Sequence, residues 1–259
     1  DELVIGLGCE DKYHNVPGAE EYTHSIQTLS KSRETFHHIS ELPNGAKVGI
    51  VGAGLSGIEL ASELRESRSD LQIFLYDRGE RILRRFPEKL SKYIEKWFKK
   101  HDVTVVPNSD INRVEPGCIY NNDVPEELDL IVWTAGIQPV ELVRNLPIDI
   151  SKGGRVILNQ YHQVPTYKNV YVVGDCADLP HAPSAQLAEA QGDQIADVMK
   201  LQWQNKPLPE KMPEIKIQGF LGSLGDKKGF AYIMDRTVTG RLASILKSGV
   251  LWMYKYHNG

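Results

Sequence analysis

The chain has 259 residues, 41% hydrophobic and 25% charged, a globular composition that excludes whole-chain disorder and leaves room for one large domain or two smaller ones. Thirty Lys and Arg against thirty-four Asp and Glu give a net charge of −4, so no basic field points to nucleic acid or to an anionic membrane. No run approaches the ~20 apolar residues of a membrane span, the opening DELVIGLGCEDK is not a signal peptide, and Cys9, Cys118 and Cys176 form no CxxC pair. A soluble, intracellular protein is the expectation. The start at Asp1 without a methionine, and the end directly after a helical pattern, read as part of a longer chain.

In chain order, Leu3 to Gly8 reads as a buried strand entering a turn, and Thr28 to Glu41 as a helix closed by Pro43-Asn44-Gly45. Ala46 to Val51 is a second apolar run, followed by a Gly-rich turn, a helix over Ile58 to Arg68 and a third run, Leu71 to Tyr76. This is one βαβ crossover. Pro87 to His101 carries Leu90, Tyr93, Ile94, Trp97 and Phe98 at helical spacing, and Val103 to Val106 follows as a strand. Ile111 to Val114, Cys118 to Tyr120 and Leu128 to Trp133 are further strands, the last ended by Thr134-Ala135-Gly136. The pattern to this point is a doubly wound α/β domain. Beyond it, Val156 to Leu158 and Val170 to Val173 read as strands and Ser184 to Gln204 as a long helix. Ile215 to Phe220 and Gly229 to Met234 read as strands before an amphipathic helix from Leu242 to Tyr256. On that helix, core packing is the favoured role for Leu246, Val250, Trp252, Met253 and Tyr254, with a membrane surface as the alternative.

Gly52-Ala53-Gly54-Leu55-Ser56-Gly57 is a GxGxxG that follows a strand and opens a helix, with Asp77 about 20 residues further on at the end of the next strand. Gly52 permits the tight turn, Gly54 lets a pyrophosphate reach the backbone, and Gly57 lets helix and strand pack closely, with the helix N-terminus facing the phosphates. Asp77 suits a ribose 2′-hydroxyl and repels a 2′-phosphate, favouring NADH, while the adjacent Arg78 pulls toward NADPH. A purely structural turn is the plainer alternative. Glu59, in the first helical turn, is sufficiently explained by the macrodipole and is also the candidate for a role near a nicotinamide. Gly174-Asp175 ends the strand of YVVGDCAD, the usual ligand position of an open sheet, and the helix after Pro183-Ser184 offers a second N-terminus, so two nucleotides are suggested. His37, His38, His101, His162 and His181 show no metal spacing, so no metal site is expected.

These segments resemble the flavoproteins with two dinucleotide-binding domains, and within them the type II NADH dehydrogenases. The resemblance is carried by LVIGLG with VPGAE (3–8, 16–20), VGIVGAGLSGIELASEL (48–64), IVWTAGIQP (131–139), YVVGDCAD (171–178) and GSLG (222–225), in the family's order across nearly the whole chain. It implies an α/β fold in which a Rossmann-like NADH domain (44–137) is flanked by parts of an FAD domain (1–43 and 138–212) and by the start of a C-terminal α+β domain (213–259). Gly52 to Gly57, Asp77, Ala135 and Gly136 would hold NADH. Gly174, Asp175, Ala185 and Gln186 would hold FAD, with Asp175 on the ribityl chain. The implied activity passes hydride from NADH to FAD and on to a quinone or similar acceptor, at a cytoplasmic or peripheral membrane location, in a homodimer.

Three departures from the family pattern stand. The family's first GxGxxG would precede Asp1, and its membrane-binding helices would follow Gly259. Ala190 also stands where the family's second quinone-site glutamine is usual, and Gln191, one helical position on, is turned ~100° away. A non-quinone or NADPH-using flavin reductase and a non-catalytic NAD-sensing module are the rival readings.

Overall fold

The computed structural model describes residues 1–258, with side chains except at 251, 254, 257 and 258. Strands β1 (Leu3–Ile5) and β2 (Cys9–Asp11) are followed by helices α1 (Ala19–Tyr22) and α2 (Leu29–Glu41). Then come β3 (Lys47–Val51), α3 (Leu55–Ser67), β4 (Gln72–Tyr76), α4 (Glu88–Lys100) and β5 (Val103–Val106). Four short strands follow: β6 (Ile111–Glu115), β7 (Cys118–Asn121), β8 (Val124–Glu127) and β9 (Leu130–Trp133). β10 (Ile137–Pro139), α5 (Glu141–Arg144), β11 (Gln163–Val164), β12 (Tyr167–Val172) and α6 (Ala185–Trp203) lead to the last group. That group is β13 (Gly219–Ser223), β14 (Gly229–Ile233), β15 (Arg236–Gly240) and α7 (Arg241–Asn258).

These elements form two compact units, one of residues 1–12 and 137–217, the other of residues 13–136 and the segment from Gln218 onward. In the second unit a parallel sheet of order β5-β4-β3-β9 aligns Val51 with Tyr76 and Trp133, and Tyr76 with Val106, so the carboxyl ends of the strands share one edge. The alternation of strand side chains then assigns two faces. Val48, Ile50, Ile73, Leu75, Leu130 and Val132 meet α2, α3 and α4 through Ile39, Ile58, Leu64, Leu90, Ile94 and Phe98. Val51, Tyr76, Ile131 and Trp133 meet β6 and β7 through Ile111, Val114 and Ile119. Each such side chain contributes about 1.5–3 kcal/mol by leaving water. The Rossmann-like α/β class is therefore realised with helices on one face and the antiparallel sheet β6-β7-β8 on the other.

The meander β13-β14-β15 shares the helical core, where Leu224 and Phe230 are buried and the Phe220 ring lies 4.0 Å from Phe86. Residues 13–43 also belong to this unit, because His24 pairs with Val132 and Ile39 is part of its helical core. The compact units thus divide the chain at different points from the boundaries read in the sequence. In the first unit, β1 runs parallel to β12, β2 pairs with β10, and α6 packs Ile195 and Val198 against Tyr171.

Several local expectations are corrected. The opening run from Leu3 to Gly8 is not buried, since Leu3, Val4 and Leu7 are about half exposed. Val156 forms only isolated bridges, to Ile150 and Ala177, instead of a strand through Leu158. The strand expected from Ile215 begins at Gly219. Leu246, Val250, Trp252 and Met253 are exposed and complete no core, while the Tyr254 side chain lies outside the described residues. No helix among the described residues is long and apolar enough to cross a membrane.

Candidate functional site

The Gly-rich turn sits at the carboxyl edge of the parallel sheet, where loop backbone from two strand ends converges. Gly52, at φ +108°, donates its N–H to Tyr76 O at 2.8 Å, and a Cβ there would lie 2.8 Å from the Ala135 backbone. Gly57 is packed onto the same turn: its Cβ would meet Gly52 O at 2.0 Å. Thr134 closes the arrangement by donating its hydroxyl toward Val51 O (3.0 Å) and Gly52 O (2.9 Å). Gly54 is different, because a Cβ at this position would meet nothing within 4 Å. It caps α3 without a side-chain hydrogen bond, leaving the helix's first N–H groups to the solvent side.

Asp77 follows β4 and is held by backbone donors, Oδ2 accepting from Ala53 N (2.9 Å) and Oδ1 from Gly79 N (2.7 Å). A cavity of about 600 Å³ opens beside it, within the range of nucleotide-sized sites. Of the residues read from the sequence, Gly52, Gly54, Asp77, Ala135 and Gly136 line this cavity. Ala53 and Gly57 are buried behind it, Leu55 packs toward the helical core, and Ser56 is exposed. The sequence reading missed His14, whose Nε2 is 2.8 Å from Ala135 O, and the arginines Arg84 and Arg85, which join Arg78 on the cavity wall. The basic doublet in RGERILRR was the available signal for the arginines; nothing local marks His14.

Glu59 is not brought to the cavity. Its carboxylate accepts from Ser223 N at 2.7 Å and pairs with the Lys247 ammonium, which also donates to Ser223 Oγ. One turn pair further along α3, Glu66 accepts from Asp226 N. These contacts fasten the C-terminal segment to the helix that begins at the glycine turn.

In the other unit, Gly174–Cys176 forms one tight helical turn after β12, with Gly174 at φ +75°. Asp175 Oδ2 accepts from the Cys9 thiol at 3.0 Å. Burial, reinforced by the hydrogen bond to Asp175, pushes that thiol up to about 12, so Cys9 is a protonated donor at neutral pH. Ser184 caps α6, accepting from Leu187 N at 3.2 Å, which places Ala185 and Gln186 in the first turn. Gln191 is fully buried: its Oε1 accepts from Gly174 N at 2.9 Å, and its Nε2 has no partner. The residue one position from Ala190 therefore supports the Gly-Asp turn.

A family model for the pyridine nucleotide-disulphide oxidoreductases matches residues 1–192. The chain belongs to this family. It is 57% identical to the NADH dehydrogenase-like protein YutJ of Bacillus subtilis, over the whole of this chain and 73% of that protein. With a type II NADH:quinone oxidoreductase of Staphylococcus saprophyticus it shares 24% identity, over 95% of this chain and 69% of that one. Among solved structures, NDH2 from Plasmodium falciparum in complex with NADH has a TM-score of 0.81 at 16% identity, covering 97% of this chain and 73% of that one, a likeness of fold. The oxidoreductase family and the Rossmann-like α/β class follow from these matches together.

Proposed function

We propose that the chain carries the NADH site and part of the FAD site of a flavin-dependent NADH oxidoreductase that hands its electrons to a quinone. The observation that carries this reading is the open Gly54 backbone and uncapped α3 N-terminus beside a cavity walled by Asp77. Gly52 and Gly57 shape the turn, the first N–H groups of α3 receive the pyrophosphate, and Asp77 accepts from the adenosine ribose. Arg78, Arg84 and Arg85 supply positive charge along the same wall.

The second group fits its donor set. Asp175 is an acceptor for a sugar-like hydroxyl chain, the N-terminus of α6 carries no acid in its first turn, and the buried Gln191 amide leaves one donor orphaned beside the Gly-Asp turn. FAD, when bound, supplies the hydride acceptor and the electron outlet that side chains lack. The chain's part is to hold and orient: Asp175 stays fixed by Cys9, and Gln191 fixes Gly174.

Support for a quinone comes from the names of the relatives; Ala190, in place of the usual glutamine, favours testing another acceptor beside it. The three cavity arginines support a second reading in which NADPH is also used. The exposed apolar side chains of α7, with Trp252 at 68%, support peripheral membrane contact. The deciding experiment gives purified, FAD-loaded protein NADH or NADPH with a menaquinone analogue or ferricyanide. Oxidation of NADH by the quinone is expected. Turnover with ferricyanide alone would reassign the acceptor, and no turnover with no nucleotide binding would end the reading.

A further inference from the structure

We propose that His24, Glu34 and His38 form a binding site for a divalent transition cation of the zinc class, separate from the dinucleotide cavity. One ligand atom from each residue lies within 4.8 Å of the other two, and the two imidazoles are 4.5 Å apart between centroids. No spacing in the sequence announces this site, because His24 comes from a different element than the other two.

Two rigid pieces of backbone set the geometry. His24 extends the parallel sheet beyond β9, donating its N–H to Ile131 O at 2.8 Å and accepting from Trp133 N at 2.8 Å. Glu34 and His38 are four residues apart on α2, hence on one helix face. That helix is capped by Thr28 at its start, and at its other end Ile39 O and O of the C-cap residue Leu42 accept from the Arg68 guanidinium at 2.6 and 2.9 Å. The buried Thr35 hydroxyl donates to Ser25 O at 2.7 Å, tying the two pieces together at residues adjacent to Glu34 and His24. Ligand spacing is therefore held by a buried bond, while Glu34 and His38 themselves are exposed and leave a path of entry.

The donor set suits a transition cation. His38 Nδ1 lies 2.9 Å from Glu34 O, and since a carbonyl can only accept, Nδ1 donates and Nε2 is the nitrogen left for a cation. Two imidazoles and one carboxylate oxygen match Zn²⁺, Ni²⁺ or Cu²⁺ and not the all-oxygen preferences of Mg²⁺ or Ca²⁺. Tetrahedral bonds of about 2.0–2.1 Å need ligand atoms about 3.3 Å apart, a contraction that rotation of the exposed side chains supplies. Three protein ligands leave the fourth position to water.

The test uses untagged, FAD-loaded protein stripped with a chelator, titrated with ZnCl₂ by calorimetry and with Co²⁺ by visible absorption. One Zn²⁺ per chain is expected, with affinity at least tenfold weaker in His38→Ala and in Glu34→Gln. Zinc should raise the melting temperature of the parent and not of the variants, whose metal-free melting should match the parent's. His24→Gln, on the sheet edge, provides a third removal whose fold is checked by the same melt. Absence of saturable binding, or binding unchanged in His38→Ala and Glu34→Gln, overturns the site.

Discussion

Alanine at Gly54 and alanine at Gly57, one helical turn apart, should fail in different ways. At Gly57 the added methyl would stand 2.0 Å from Gly52 O and 2.8 Å from Thr134 Oγ1, so α3 must retreat by more than an ångström or the turn must deform. Overpacking of this kind costs about 1–3 kcal/mol, and a chain of this size loses about 2–4 °C of melting temperature per kcal/mol. Gly57→Ala should therefore melt about 2–12 °C lower. At Gly54 the backbone, φ −77° and ψ −170°, is one that alanine adopts freely, and the methyl meets nothing in the protein. Gly54→Ala should keep or slightly raise the melting temperature, by up to about 1 kcal/mol of stability. On the proposed reading, its methyl nonetheless occupies the space over which a pyrophosphate would approach the helix N-terminus. Losing one charge-assisted hydrogen bond there, about 1.5–3 kcal/mol, weakens NADH binding by roughly 10- to 150-fold. Differential scanning fluorimetry and NADH titration by fluorescence quenching measure both quantities on the same samples. If Gly54→Ala melts as low as Gly57→Ala while binding NADH like the parent, the division of labour drawn from the turn is wrong.

Asp77→Asn, which keeps one acceptor but loses the charge, should reduce kcat/KM for NADH by about tenfold and narrow the preference over NADPH, as the arginines on the wall go unopposed; an unchanged ratio by steady-state kinetics would remove Asp77 from nucleotide selection. Glu59→Gln breaks a pair whose side chains are 32% and 28% exposed, so urea unfolding should show a loss of no more than about 1 kcal/mol with NADH affinity intact. A loss of hydride transfer beyond tenfold in a stably folded Glu59→Gln would return that carboxylate to the chemistry. For Cys9, the folded thiol titrates near 12, above the free-thiol value of about 8.5, so its contribution to stability is whole below about pH 8.5 and is lost as pH rises toward 12. The parent's urea midpoint should therefore fall more steeply on the alkaline side than that of Cys9→Ser; parallel curves would contradict this. At pH 8 native Cys9 should resist iodoacetamide, as peptide mapping can show.

The parts of the molecule that sequence patterns revealed are those built from local periodicity. The run β3, glycine turn, α3, β4 announces itself because short continuous apolar runs flank a 3.6-period helix and the glycines mark the junction. β8 was missed because Val-Pro-Glu-Glu carries neither signal; β7 supplies its ladder partner. β2 and β10 are three residues each and pair across more than a hundred positions, which no local pattern encodes. The same holds for the candidate sites. Gly52, Gly54 and Asp77 were legible through spacing, whereas His14 reaches Ala135, and Glu59 reaches Ser223 and Lys247, only through tertiary folding. Gln191 illustrates the limit well: its helical phase excluded the neighbouring position's role, but only the folded turn shows that its amide holds Gly174.

Asp11 pairs with Ile137 in the antiparallel ribbon of β2 and β10. The chain therefore leaves the first unit and re-enters it at the same place, and residues 13–136 behave as a cartridge inserted between two adjacent attachment points. Exchanging that cartridge for one from a relative with a different nucleotide preference makes two junctions here, both at a site where short connections already suffice. The graft carries one further obligation: because Glu59 and Glu66 are fastened to Ser223 and Asp226, the segment from Gln218 onward must travel with it or be matched to it.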